Sequence, residues 1–491
     1  MQTYSRKEIS KKLLTVISTC LLMVACSNDD PAVNVDEELL SLVTAAGLTG
    51  DPTTDRILPA ITDAKAKLGK KLFYSKGLGG DDDSACVTCH HPSLGGGDDL
   101  SLSIGVGAET PDLLGPGRFH DMAASGYDGS PPVPRNAPTT FNIALWDQAL
   151  FHDGRVESIG KTAGKNGDDG SGIRTPDSAF GVADPDAGST LTAAQSRFPI
   201  TSTEEMRGFV FQAGNTNAEL RTALEVKLTN SGWGMHFAMA YDGDDTVTHQ
   251  KIAEAIGEFE RSQVFVDSPW KAYVEGDRTA ISESAKRGAT MFFSSIDNGG
   301  ANCTSCHVGD FFTDEQFHVL ATPQIGRGKG VGDLGDDDFG RSEVSLNLVD
   351  KYKFRTPTLL NVEVTGPWGH AGAYTELENM VRHMLNPAEA IANYDMLQLD
   401  ANAVLQFENF QANTQFALDQ LEANRTNNVS GVHQNVEFTD ADVTDLVEFL
   451  KALTDPCVKD RACLAPWIPG GMGSGPDGLK LDAVDNTGAF L

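Results

Sequence analysis

Basic residues are scarce in this chain: 38 lysines and arginines stand against 69 aspartates and glutamates, and the formal net charge is −31. A surface this acidic repels nucleic acid and anionic lipid, which argues against binding to either, and it suits a basic protein partner. Long apolar runs are also missing: after the N-terminal segment, no apolar stretch is long enough to span a bilayer. The mature chain is therefore expected to be soluble apart from any lipid anchor.

The N-terminus has the pattern of an export signal. Basic residues, including Arg6 and Lys12, precede a short apolar run at 13–25, which ends at Cys26 before a polar stretch. This pattern resembles a bacterial lipoprotein cleavage site with Cys26 as the lipidated residue, and plain secretion is the alternative. We expect residues 1–26 to be a signal peptide and the protein to lie in the periplasm. Its only contact with the membrane would be the lipid on Cys26.

Cysteine is absent between Cys89 and Cys303, yet close cysteine pairs stand at both ends of this gap. Each pair continues into a histidine, giving Cys-x-x-Cys-His twice. Two thiols at this spacing reach the two vinyl groups of a haem, and the adjacent imidazole ligates the iron. A zinc site would need further Cys or His ligands at finger-like spacing, and a thioredoxin-like site a βαβ context. The pattern predicts two covalent haem c groups, held by Cys86, Cys89, His90, Cys303, Cys306 and His307.

Two cysteines remain near the C-terminus, Cys457 and Cys463. In an oxidising compartment their close spacing favours a local disulfide. Two free thiols are the alternative.

The surroundings of the two motifs repeat, which indicates an internal duplication. A glycine precedes each motif, and an asparagine and then a histidine follow it at nearly equal spacing. These landmarks are Gly69, Asn142 and His152 around the first motif and Gly288, Asn361 and His370 around the second. The chain is therefore interpreted as two related haem domains in tandem.

Periodic apolar residues predict helices, and strand patterns are few. One predicted helix begins after Thr248 and runs to about Phe265, and another begins after Thr439 and buries an apolar face that includes Val443. Gly- and Asp-rich stretches at 76–84, 160–172 and 328–340 are predicted loops. The expected fold class is mostly α: two tandem cytochrome c-type haem domains with long irregular loops.

Several motifs resemble those of the bacterial di-haem cytochrome c peroxidase family, which includes the di-haem enzymes that mature methylamine dehydrogenase. They are Arg-Asn-Ala-Pro-Thr at 135–139, Phe-His-Asp-Gly-Arg at 151–155, Phe-Arg-Thr-Pro-Thr-Leu at 354–359 and the helix at 438–453. The resemblance covers roughly residues 60 to 455. It implies an N-terminal peroxidatic haem domain at 27–265, a C-terminal electron-transfer haem domain at 266–470 and a tail at 471–491.

The implied reaction is reduction of H2O2 to water with electrons from a small donor protein, such as a basic cytochrome c or a cupredoxin. The resemblance implies that Glu205 exchanges the peroxide proton and that Gln195 orients the peroxide. It implies Met384 as the second axial ligand of the C-terminal haem, and the adjacent His383 is the alternative. It also suggests a homodimer.

The family further implies one calcium ion between the haem domains. Its ligands here would be Asn136 and the backbone carbonyls of Thr365 and Pro367, because calcium prefers hard oxygen donors. The aspartate-rich run at 333–338 is a rival site, although a solvated acidic loop is the favoured interpretation of that run.

The chain departs from the family pattern at three places. Val106 stands where many members carry a histidine that blocks the peroxidatic iron, although His120 in an inserted loop could substitute. His152 replaces the tryptophan expected between the haems, so electron transfer would rely on Trp146 or Trp368. The extra segments 158–190 and 386–435 are predicted surface loops.

Two other functions fit the same motifs. A maturase-like enzyme would use the di-haem centre to oxidise a tryptophan or tyrosine of a partner protein, and Val106 favours this class while Met384 argues against the methylamine dehydrogenase type. A non-catalytic electron carrier would have two six-coordinate irons and no use for Glu205.

Overall fold

Helices supply most of the regular structure, which confirms the expectation of a mostly α fold. The structure is a computed structural model and describes residues 35–127, 129, 131–402, 408–470 and 475–491. The expected signal peptide and Cys26 lie outside the described residues. In the described part, no helix is both long enough and apolar enough to cross a membrane.

The helices and strands follow one another with long irregular connections. The helices are α1 Val35–Ala45, α2 Ala64–Phe73, α3 Leu191–Ser196, α4 Asn217–Asn230, α5 Gly234–Ala240, α6 His249–Arg261, α7 Pro269–Glu275, α8 Glu283–Phe293, α9 Ser342–Ser345, α10 Leu377–Leu385, α11 Pro387–Ala392, α12 Phe410–Thr426, α13 Asp440–Ala452 and α14 Arg461–Leu464. The strands are β1 Ala149–Leu150, β2 Val156–Ser158, β3 Ile173–Arg174, β4 Phe317–Val319 and β5 Lys353–Arg355. Strands β1, β2 and β3 form an antiparallel sheet, and β4 pairs with β5 antiparallel.

The repeated glycines mark the same helix crossing in each half of the chain. Helix α2 packs against α6 around one apolar core, and α8 packs against α13 around another. A Cβ added at Gly69 would lie 1.8 Å from the Ala255 carbonyl oxygen, and one at Gly288 would lie 1.9 Å from the Asp445 carbonyl oxygen. Only glycine allows these backbones to approach so closely. The landmark glycine of each repeat is therefore a packing requirement.

The repeated asparagines also have matching roles. Asn142 and Asn361 are both buried, and each donates a side-chain hydrogen bond of 2.9 Å to the carbonyl oxygen of Phe265. The Asn142 side-chain oxygen in turn accepts from the Phe265 amide at 2.7 Å. The two repeats thus meet at the segment that joins them.

Both sequence-predicted helix starts are capped as expected. The Thr248 hydroxyl accepts a hydrogen bond from the Lys251 amide, and α6 then ends at Arg261, four residues before the predicted end. Thr439 and Asp442 form a capping box at the start of α13. These caps stabilise the two helices that close the apolar cores.

The prediction of a surface loop at 386–435 is wrong for much of that segment. It contains α11 and the long helix α12, which buries Phe410 and Leu421. Segment 158–190 is a surface loop only in part, because it contributes β3 and buries Thr175 and Ala187. Polar composition hid the apolar residues at helical spacing in α12.

The C-terminal tail returns to the N-terminal half of the chain. The Leu481 amide donates to the Tyr74 carbonyl at 2.8 Å, and the Trp233 indole donates to Asp477 at 2.7 Å. Leu481 is fully buried in the core that surrounds α2 and α6. Residues 35–491 form one compact unit, and the division into two haem domains remains a prediction.

Candidate active site

The two motif histidines are held in the same way. The Nδ1 atom of His90 lies 3.2 Å from the Gly96 carbonyl oxygen, and the Nδ1 atom of His307 lies 2.9 Å from the Phe312 carbonyl oxygen. Because a carbonyl oxygen only accepts, each Nδ1 carries the proton and each Nε2 keeps a lone pair. Burial lowers the pKa of His90 to about 4 and also lowers the pKa of His307. Both imidazoles are therefore neutral and in the tautomer that ligates iron through Nε2.

A cavity of about 460 Å³ opens beside the first motif. Its walls include the free thiols of Cys86 and Cys89 and the imidazole of His90. Arg155 and Lys329 line it as well, and these cations suit the two carboxylates of a haem. The residues present therefore fit a covalently attached haem c.

The same cavity brings together the two side chains expected to handle peroxide, Gln195 and Glu205. Gln195 lies near the end of α3, and Glu205 lies in a single wide helical turn, Thr203–Arg207. The Ser202 hydroxyl starts this turn by accepting from the Glu205 amide at 3.3 Å. Burial raises the pKa of Glu205 above its ordinary value. A carboxyl of this kind beside a ligand cavity suits acid–base exchange.

The second motif has a different set of neighbours. His383 is buried with both ring nitrogens engaged: its Nε2 donates to the Leu320 carbonyl at 2.9 Å, and its Nδ1 accepts from the Tyr374 hydroxyl at 2.8 Å. An imidazole bonded at both nitrogens has no lone pair left for iron. The contacts of His383 thus favour Met384, the next residue of α10, as the axial ligand opposite His307.

Val106, at the position where the resemblance places a blocking histidine, is buried. The Val106 amide donates to the Glu204 carbonyl oxygen at 3.2 Å. His120 is buried too, and its ring packs against Tyr127 with the centroids 5.1 Å apart. Within the described ranges, neither Val106 nor His120 lines the cavity of the first motif.

His152, which stands where the resemblance places a tryptophan, holds a loop. Its Nε2 lies 3.0 Å from the Asn136 carbonyl oxygen, and it lines the cavity. Trp146, a few residues earlier in the chain, is buried. The Arg355 guanidinium carbon lies 3.3 Å from the centre of the Trp146 indole ring. A cation over the ring opposes removal of an electron from the indole. Arg355, which sequence reasoning missed, therefore makes Trp146 harder to oxidise.

Glu260 is a second acid in the cavity that sequence reasoning missed. It is 5% exposed, and its Oε2 atom has no hydrogen-bond partner among the described residues. Burial raises the pKa of Glu260 to about 8, so it is largely protonated at neutral pH. The signal in the sequence was a glutamate on the apolar face of a predicted helix.

The calcium candidates lie on adjoining loops. The Asn136 side chain donates to the Leu100 and Ser101 carbonyls at 2.9 and 3.2 Å. Gly95 lies between the two loops, because its carbonyl accepts from Thr139 and a Cβ added to it would lie 1.8 Å from the Val364 carbonyl oxygen. Pro367 follows a cis peptide bond. Ligation of calcium by Asn136, Thr365 and Pro367 remains a prediction.

The aspartate-rich run is not the solvated loop that was expected. Asp337 and Asp338 are buried, and the Asp337 carboxylate accepts from the Tyr352 hydroxyl at 2.7 Å. The neighbouring Asp336 accepts from the Asn413 amide at 2.7 Å. The carboxylates of Asp336 and Asp337 therefore accept hydrogen bonds from α12 and from the residue before β5, and these bonds hold the run against both elements.

A buried ion network fixes the loop that leads to the cavity. The Arg135 guanidinium contacts Asp338 through two hydrogen bonds of 2.6 and 2.7 Å and contacts Asp153 through a third. Burial alone would raise the pKa of both carboxyls, but Arg135 outweighs burial and holds both values well below the ordinary range. The network joins Asp153 of the first repeat to Asp338 of the second.

Near the C-terminus, Cys457 and Cys463 form a disulfide. It closes the short segment that includes α14, which packs beside the first haem motif through the turn at Pro92–Leu94.

A mostly helical chain whose Cys-x-x-Cys-His cavity also holds an acid and an amide has the features of a c-type haem peroxidase. The family model for di-haem cytochrome c peroxidase matches residues 63–279. This match confirms the resemblance drawn from the motifs, and the chain is an oxidoreductase.

Several curated proteins are similar to the chain. The methylamine utilization protein MauG of Methylophilus methylotrophus is 29% identical over 330 residues, which cover 67% of this chain and 74% of that protein. The MauG protein of Methylorubrum extorquens is 27% identical over 329 residues, covering 67% and 70%. The cytochrome c551 peroxidase of Pseudomonas aeruginosa is 26% identical over 329 residues, covering 66% and 73%.

Two solved structures share the fold. One is a MauG-like protein associated with microbial copper homeostasis, with a TM-score of 0.53 and 19% identity over 84% of this chain and 96% of that one. The other is the di-haem peroxidase BthA from Burkholderia thailandensis, with a TM-score of 0.52 and 20% identity over 87% of this chain and 92% of that one.

Proposed function

We propose that the chain is a di-haem cytochrome c peroxidase that reduces H2O2 to water with electrons from a small periplasmic donor. The haem domains would be 27–265, which reacts with peroxide, and 266–470, which receives electrons. The observation that carries this proposal is the single cavity that joins Cys86, Cys89 and His90 to Gln195 and Glu205. The haem, once attached, supplies the iron at which the peroxide bond is cleaved.

The protein side chains would manage the protons. Glu205 takes the proton from one peroxide oxygen and gives it to the other, which then leaves as water, and the Gln195 amide orients the peroxide. The full reaction consumes H2O2, two protons and two electrons and yields two water molecules. The donor supplies both electrons, and the acidic surface of the chain, at a net charge of −31, suits a basic donor.

At the second haem, His307 and Met384 would be the axial ligands, because a thioether raises the haem potential and so suits electron entry. We expect Met384→Ala to remove the far-red thioether charge-transfer band and to lower the potential of that haem by on the order of 0.1 V. Optical titration of the purified protein measures both. Met380→Leu, on the same helix, is the matched control and keeps the band. A band that survives Met384→Ala would contradict the assignment.

Val106 leads to a prediction about the resting enzyme. Because valine cannot ligate iron, we expect the oxidised protein to show a high-spin ferric signal without prior reduction. Electron paramagnetic resonance of the fully oxidised protein measures this directly. A spectrum with only low-spin signals would show that another residue, such as His120, blocks the iron.

The proposed calcium site has its own test. We expect Asn136→Ala to weaken calcium binding at least about tenfold, since it removes a hard oxygen ligand. Titration calorimetry of the chelator-treated protein measures the affinity. Asp333→Asn, in the exposed part of the rival acidic run, is the control and should bind as the unmodified protein does. If Asp333→Asn weakened calcium binding and Asn136→Ala did not, the calcium site would instead lie in the acidic run.

The alternative function is a maturase-like enzyme that oxidises a tryptophan or tyrosine of a partner protein. The observation that favours it is Val106, because an iron without a blocking histidine is typical of that class. The similarity to two MauG proteins is compatible with it. A maturase would form a long-lived oxidised state with H2O2 and would not turn over a generic donor. Lipid anchoring at Cys26, a periplasmic location and a homodimer complete the proposal.

A further inference from the structure

A buried arginine holds the loop that replaces the blocking-histidine segment. Arg118 is 2% exposed and lies in the inserted stretch after Gly107. Its guanidinium donates to the carbonyl oxygens of Ile104 at 2.7 Å and Gly105 at 2.8 Å. It also donates to the carbonyls of Pro111 at 2.9 Å and Leu113 at 2.8 Å. One side chain thus fastens both ends of the loop 104–113.

The bonds of Arg118 are all to the backbone. Its hydrogen bonds go to carbonyl oxygens on both sides of the loop. A guanidinium offers five N–H donors in a fixed plane, so it can satisfy several carbonyls at once where a lysine cannot. The carbonyls it holds belong to a loop without helix or strand, in which side-chain donors can satisfy backbone carbonyls that a helix or sheet would otherwise pair.

The opposite edge of the loop is fastened as well. The Val106 amide donates to the Glu204 carbonyl, as described above, and the Gly107 amide donates to the Asp83 carboxylate at 2.7 Å. The Gly107 carbonyl accepts from the Asp121 amide at 2.8 Å. Every residue from 104 to 107 therefore has a hydrogen-bonded backbone group.

The loop lies directly against the turn that carries Glu205. A Cβ added at Gly105 would lie 2.4 Å from the carbonyl oxygens of both Glu204 and Glu205. Contacts this close leave no free space between the two backbones, so a shift of the loop must move the turn.

From these contacts we propose that Arg118 is a positioning residue for Glu205, acting through the loop 104–107. Arg118 does not line the cavity. It fixes the backbone on which the Glu205 turn rests, and so sets where the carboxyl stands relative to the first motif. This inference rests on the proposed function of Glu205.

The test compares Arg118→Lys and Arg118→Ala with the unmodified, haem-loaded protein. Hydrogen exchange at the Val106 and Gly107 amides should become at least about tenfold faster in Arg118→Ala and less so in Arg118→Lys. The acidic limb of the activity–pH profile should move in both, and kcat should fall more than KM rises. Arg56→Lys is the control, because Arg56 also donates to backbone carbonyls, at Pro52 and Ala144, and pairs with Asp147 rather than with any residue of this loop.

A second variant tests the same idea without touching Arg118. Gly105→Ala pushes directly on the Glu205 turn and should move the pH profile while leaving the haem attached, as judged by the absorbance spectrum. If hydrogen exchange becomes faster but the pH profile does not move, Arg118 does not position Glu205. If hydrogen exchange is unchanged in Arg118→Ala, Arg118 does not hold the loop 104–107 in place. If Glu205→Gln had no effect on peroxide reduction, the proposed function would fail. The hydrogen-exchange data would still show whether Arg118 holds the loop 104–107 in place.

Discussion

Replacing Glu205 with glutamine should lower kcat/KM for H2O2 by a factor of about 10² to 10⁴, the usual contribution of a general acid–base group. Glutamine keeps the size of the side chain and its place on the cavity wall but cannot take a proton from peroxide. The haem should remain attached, because Cys86, Cys89 and His90 are unchanged. Stopped-flow reduction of H2O2 with a reduced cytochrome c measures the loss.

The pH dependence of the unmodified enzyme follows from the same residue. Burial raises the pKa of Glu205, and only its ionised form can accept the peroxide proton. Activity should therefore rise with pH through the raised pKa, above the range of an ordinary glutamate, and Glu205→Gln should lose this limb.

The matched control is Glu254→Gln on the outer face of α6, where Glu254 pairs with Lys65 at a half-exposed site. It makes the same chemical change away from the cavity and should keep both the rate and the pH profile. Equal losses in the two variants would contradict the role of Glu205.

Asp338→Asn should be the most destabilising single change in the scaffold of the site. It removes the charge of Asp338 and at least one of its two hydrogen bonds to Arg135, and it leaves the buried guanidinium with Asp153 and the more distant Glu343. Breaking a buried ion pair from one side typically costs about 3–5 kcal/mol of the free energy of unfolding. Denaturant unfolding followed by circular dichroism measures the change.

The network also predicts how stability depends on pH. The folded-state pKa values of Asp153 and Asp338 lie below their unfolded values, because Arg135 outweighs the effect of burial. Their stabilising contribution is present above the unfolded pKa, about 3.9, and is lost as the pH falls below it. Asp338→Asn should therefore flatten the acid limb of the stability curve.

Asp267→Asn provides the control for this prediction. Asp267 forms an ion pair with Lys271 at 2.7 Å, but its side chain is 80% exposed. Exposed pairs contribute about 0–1 kcal/mol, so this variant should unfold almost as the unmodified protein does. A similar loss in both variants would show that the Arg135 network has no special weight.

The features that follow from a local pattern could be read from the sequence. The Cys-x-x-Cys-His spacing predicts the ligand histidines, and the repeat predicts Gly69 and Gly288, whose purpose became clear only from the helix crossings. Helix α13 and its Thr439 cap follow from apolar spacing and cap chemistry. Glu205 and Gln195 required the family resemblance, since nothing in their immediate sequence distinguishes them from other polar residues.

The features that depend on contacts distant in sequence could not be read in this way. Arg118 clamps backbone carbonyls, which leave no trace in side-chain patterns. The burial of Asp338 depends on Arg135, about two hundred residues earlier in the chain. The return of the C-terminal tail to Tyr74 is of the same kind. Helix α12 was missed for another reason, because its polar composition resembles that of a loop.

The most direct test of the proposed peroxidase is the stoichiometry of donor oxidation. A small amount of the haem-loaded protein is mixed in a stopped-flow instrument with excess reduced cytochrome c and a limiting amount of H2O2. The proposal predicts rapid oxidation of two cytochrome molecules for each H2O2, because each peroxide consumes two electrons. A long-lived oxidised state with no donor turnover would instead indicate the maturase, and no reaction at all would indicate an electron carrier; either result would contradict the proposal.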